Sequence, residues 1–67
     1  MSDETLLVQL GVLIDKYIDS GEAGSELKKM VSAERVKYVL GELEKHKTKE
    51  IEKNDRALIK KIYANFC

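Results

Sequence analysis

The residues able to do chemistry are few. The chain has one histidine, His46, and one thiol, Cys67. A nucleophilic cysteine needs a base within reach and a third group to orient that base, so a Cys67–His46 pair would require the last residue to be held against the middle of the chain. The plainer reading puts His46 on a solvated helix flank near a helix C-terminus and leaves Cys67 as a partly packed end. Asp15 and Asp19 are spaced to share one helix face and a cation. No His-x-x-x-His, Cys-x-x-Cys or calcium-loop spacing accompanies them, and two neighbouring helix acids read first as surface. Gly21-Glu22-Ala23-Gly24-Ser25 has the glycines of a phosphate-binding loop without its Gly-Lys-Ser/Thr end or preceding strand. The expectation is a chain without catalytic residues, metal or cofactor.

Two other groups of residues suggest binding instead. On a helical wheel with Val36 at zero, Lys45, Lys49, Lys53, Arg56 and Lys60 fall between about 180° and 260°, opposite the apolar stripe. A face of like charge suits nucleic acid or a small phosphorylated ligand, although lysines opposite a core also serve solubility. The alignment requires one unbroken helix; a break at Asn54 divides it into Lys45-Lys49-Lys53 and Arg56-Lys60. Residues 26–36 have the outline of a helix-turn-helix, but the turn is too short and lacks glycine, and the reading helix would mix Glu34, Arg35, Lys37, Tyr38 and Glu42. The second group is apolar. Val8 and Val12 lie at about 200° and 240° on a wheel from Leu6, on the polar side of the first helix, as a small ridge that a neighbouring helix can cover. Tyr38 and Tyr63 also point away from the apolar stripe, and tyrosine suits interfaces by joining a large ring to a polar tip.

Helices must position these groups. The chain has 67 residues, no proline and four glycines, too few turn formers for a β-rich domain. Ser2 is a good N-cap, followed by Asp3 and Glu4 where the helix dipole favours negative charge, and Leu6, Leu7, Leu10, Leu13, Ile14, Tyr17 and Ile18 form one inward stripe. This predicts a first helix over about 3–19. Gly21–Ser25 reads as the reversing loop, with Ser25 capping a short helical turn near 25–31. Ser32 caps a second main helix, about 33–52, in which Val36, Leu40 and Leu43 share a face with Val39 beside them. The stripe then fails at Lys47, Glu50 and Asn54 and resumes, rotated, at Leu58, Ile62 and Phe66. A break near Asn54, with Asp55 helping to cap a last helix over about 55–66, gives an all-α compact bundle of three main helices. The alternative is a helical hairpin with one long helix over 33–66, roughly 50 Å at 1.5 Å per residue, whose uncovered half would need another protomer.

The whole, residues 1–67, reads as one helical domain small enough that oligomerisation is expected on size alone. Net charge is zero, but it is polarised. Residues 1–27 carry six acidic groups and Lys16, and residues 28–67 carry eleven basic and six acidic ones. The first helix of one copy, with Asp15 and Asp19, is thus expected to attract the basic stripe of another, making assembly salt-sensitive. One cysteine suits a reducing, cytoplasmic setting. The acidic start is no signal peptide, the apolar run Leu6–Ile14 is too short to span a bilayer, and a terminal cysteine is no prenylation site, so no membrane partner is expected. The functional expectation is a small intracellular interaction or regulatory protein of the adaptor, inhibitor or antagonist type, accessory or phage-encoded in style. It would act on another protein through Val8, Val12, Tyr38 and Tyr63, as a homo-oligomer, with nucleic acid or a phosphorylated ligand as the alternative.

Overall fold

Ser2 starts the first helix as its type demands. In the computed structural model, which describes residues 2–18 and 21–67, the Ser2 hydroxyl accepts from the Thr5 backbone N–H at 3.2 Å and opens α1, Asp3–Tyr17. Leu6, Leu10, Leu13, Ile14 and Tyr17 are buried along its inner face. The helix ends two residues before the expected boundary. Its last carbonyl, that of Tyr17, accepts from both the backbone N–H (2.7 Å) and the hydroxyl (3.1 Å) of Thr48, so a distant segment satisfies a group that one more helical turn would have used. Ile18 is already extended.

Gly21 takes φ 155° and ψ −170°, a region that residues with a Cβ rarely adopt, and this lets the chain enter α2, Glu22–Lys29, at once. The segment expected to be a loop with Ser25 as its cap is therefore helix. Ser25 lies inside α2, its N–H donating to the Gly21 carbonyl at 3.1 Å, while Gly24 and Leu27 are buried. Ser32 does not cap the next helix either. Residues 32–35 form a turn closed by the Arg35 N–H on the Ser32 carbonyl, and α3 runs only over Val36–His46. Placing Val36, Val39, Leu40 and Leu43 in the core sets its start.

The helix from this region breaks earlier than Asn54. It stops at His46, where the inward stripe runs out of apolar residues. A connector, residues 47–52, turns the chain, and Ile51 is its one buried side chain among the described residues. Helix α4 is Lys53–Phe66, with Glu52 in the capping position; Asn54 and Asp55 fall in its first turn. The long-hairpin alternative is thereby overturned. The molecule measures 28 × 25 × 16 Å with a radius of gyration of 10.7 Å, against about 10.9 Å for a compact chain of this length. The result is an all-α bundle of four helices, with α1 packed against the other three. Ile62 is fully buried in the common core, with Leu58 and Phe66 partly covered against it.

Candidate interaction surfaces

Among the described residues, the corner where α1 meets the connector is the most heavily bonded, and little of it could be foreseen. Tyr17 is fully buried. Its hydroxyl donates to Asp55 and accepts from the Glu52 N–H at 3.0 Å. Lys16 bridges Glu52 at 2.6 Å and Asp55 at 2.8 Å, and the ammonium groups of Lys16 and Lys49 each lie 5.5 Å from the centre of the Tyr17 ring. Hydrogen bonds from Lys16 and Tyr17 hold the Asp55 carboxyl below the usual range. Burial, and then the bond to Asp55, push the Tyr17 phenol up, and the two carboxylates push Lys16 up. The groups of this cluster pair with one another, Asp55 with Lys16 and Tyr17, Glu52 with Lys16, and both lysines with the Tyr17 ring. Its chemistry is therefore the joining of α1 to α4.

The basic residues do not share one unbroken helix. Lys45 is on α3, Lys49 is in the connector over Tyr17, Lys53 opens α4, and Arg56 and Lys60 lie further along it. Arg56 forms a two-pronged pair with Glu44, one contact at 3.3 Å, which lowers the Glu44 carboxyl and raises the guanidinium. Of the acids expected to share a cation, Asp15 pairs with Lys28 at 3.0 Å and Asp19 lies outside the described residues. Among the described residues no three His, Cys, Asp or Glu side chains converge as metal ligands would. His46 closes α3 with Nε2 3.8 Å from Glu42, and Cys67 is exposed at the end of α4. Among them, too, no helix is long and apolar enough to cross a membrane.

Among the described residues, the large apolar side chains most open to water are Val8 at 63%, Val12 at 58%, Tyr38 at 51% and Tyr63 at 47%. These are the four residues that the wheel turned away from the core, but the fold distributes them. Val8 and Val12 stand on the outer face of α1. Tyr38 edges a small pocket of about 160 Å³ between α2 and α3, with Leu27, Met30, Glu42 and His46. Tyr63 walls a larger open groove of about 500 Å³ between α3 and α4, whose floor is Leu40, Gly41, Ile59 and Ala64. Lys37, Lys60 and Glu44 stand at its edges.

This groove was missed by periodicity, which counts apolar residues and not the gaps left by small ones. A signal was present in the helical glycines. A Cβ built on Gly11 or on Gly41 would meet nothing within 4 Å, and a glycine inside a helix is about 1 kcal/mol worse than alanine. Nothing in the chain's own packing requires either. Gly11 flanks the Val8–Val12 face of α1 and Gly41 lines the groove, so a small residue leaves open space at both places.

The chain matches no protein-family model, no curated protein and no solved structure.

Proposed function

We propose that this protein acts by binding other protein chains through its helical surfaces, as an interaction or regulatory protein of the adaptor or inhibitor type and not as an enzyme. The groove between α3 and α4 carries this reading. It has an apolar floor, a tyrosine wall and charged edges, the arrangement in which an amphipathic helix docks by its apolar face. The fate of the polar groups also favours it: the most strongly bonded ones, around Tyr17 and between Arg56 and Glu44, join parts of the same chain. A reducing, cytoplasmic setting fits the lone thiol. The reading of an anion or nucleic-acid binder is weakened by the division of the basic residues and the engagement of Arg56.

The test is co-purification from the native host with wild type and with Ala64→Trp, which fills the groove at an exposed position. A partner held by the wild type and reduced about tenfold or more by Ala64→Trp, with unchanged circular dichroism, is the expected result. Equal recovery on both baits, or none on either, would overturn the proposal.

A further inference from the structure

Two surfaces of this molecule are incomplete, and each has what the other lacks. On the outer face of α1, Glu4, Val8 and Val12 follow one another at four-residue spacing, with Gly11 beside the valines. In the α3–α4 groove, Leu40, Gly41, Ile59 and Ala64 form a floor beside Tyr63. The first is a narrow apolar ridge and the second a narrow apolar trough.

We infer that the α3–α4 groove of one copy receives the Val8–Val12 ridge of α1 from a second copy, in a head-to-tail contact. The inference rests on the reading of these surfaces as binding surfaces and names the occupant of the groove.

Charge selects this occupant. Lys37 and Lys60 edge the groove, and among the described residues neither has an ion-pair partner. Glu44, the acid at the same edge, is already held by Arg56 and by Lys47 at 3.2 Å. The ridge ends in Glu4, which is exposed. Asp3 lies on the inner side of the helix and accepts from the Asn65 side chain of α4 at 2.8 Å, and Lys16, the one cation of α1, is turned to Glu52 and Asp55. Groove against groove would bring Lys37 and Lys60 together with their own copies, whereas ridge into groove sets the Glu4 carboxylate against them and pairs opposite signs.

The glycines fit the same contact. Gly11 flanks the ridge, three residues from Val8, and Gly41 lines the groove, and each has open space where a Cβ would stand. Two packed helices approach to about 8–10 Å between axes, and missing Cβ atoms at the crossing favour the close end of that range. One crossing therefore uses both. Because donor and acceptor surfaces differ, the assembly continues into a chain or closes into a ring, and salt weakens it.

Complementation tests this. Val8→Asp with Val12→Asp removes the ridge and keeps the groove, whereas Ala64→Trp blocks the groove and keeps the ridge; all three positions are exposed. In analytical ultracentrifugation the wild type should grow in mass with concentration. Each variant alone should sediment as the 7.6 kDa chain, and their equimolar mixture should form a dimer that grows no further. Lys37→Glu with Lys60→Glu should also weaken wild-type assembly about tenfold or more, and can replace Ala64→Trp if circular dichroism shows that variant unfolded. A wild type that remains one chain at about millimolar concentration, a variant that assembles alone as the wild type does, or a mixture that stays monomeric overturns the inference. A monomeric wild type whose partner capture is still lost in Ala64→Trp would overturn self-docking and leave the binding function standing.

Discussion

Tyr17 and Tyr63 put the same side chain to different uses. Tyr17 sits at the end of α1 with its ring buried and its hydroxyl engaged by Asp55 and the Glu52 N–H. Tyr63 lies in the last turn of α4, half exposed, along an open groove. A buried ring with a satisfied hydroxyl holds parts of one chain together, and an exposed ring on an apolar trough has area left to bury against another chain. The contrast separates a region that makes the fold from one that the fold merely displays.

Neighbouring positions on α4 give the sharpest break in that comparison. Ile62→Ala opens a cavity in the core and should destabilise by about 2–5 kcal/mol, enough to unfold much of a chain this small. Tyr63→Ala, one residue on, should stay within about 0.5 kcal/mol of wild type in urea denaturation. Comparable losses at both would mean that the groove is part of the core.

The Tyr17 corner should also set the dependence of stability on pH. The carboxyls of Asp55 and Glu44 are held below their ordinary values of 3.8 and 4.5, so their stabilisation is present above those values and is lost as pH falls through the lowered ones. Tyr17 and Lys16 are raised above 10.0 and 10.5, so theirs is present below those values and is lost as pH rises through the raised ones. The thermal midpoint should be level between about pH 5 and 10 and decline on both sides, gently, since solvent screens most of these charges. Asp55→Asn should flatten both limbs, its own on the acid side and that of Lys16 on the alkaline side. A profile unchanged by that substitution would remove Asp55 from its place at the centre of the corner.

The smallest effect expected has the opposite sign. Gly11→Ala and Gly41→Ala should each stabilise the monomer, by about 0.5–1 kcal/mol, because open space surrounds both positions. Both should weaken self-association in sedimentation. If either lowers the unfolding midpoint instead, that glycine belongs to the fold and not to a contact surface.

The helical class, the inward stripe of α1 and the outward placement of Val8, Val12, Tyr38 and Tyr63 were legible in the sequence, because periodicity places a side chain relative to its own helix axis. Helix ends were read less well. Ser25 and Ser32 are sound caps by type, but Gly21 starts α2 earlier, and burial of Val36 starts α3 later. The failure of the stripe after Leu43 did announce a break. Its position, and the use of Asp55 as a partner of Tyr17 instead of a cap, depended on contacts between residues more than thirty apart, and local pattern carries no information about those.

Residue order alone therefore determined that this chain is helical and which side chains leave the core, since both follow from a repeat of 3.6 residues acting within each helix. Only the tertiary structure decided that the basic residues are divided among α3, the connector and α4, that Val8 and Val12, Tyr38 and Tyr63 lie apart on α1 and at two different grooves, and that α3 and α4 leave a trough between them. Those outcomes depend on how far apart two helices pack. That distance depends on the side chains that both helices bury, Val36, Val39, Leu40 and Leu43 on α3 and Ile62 on α4, and neither helix specifies it alone.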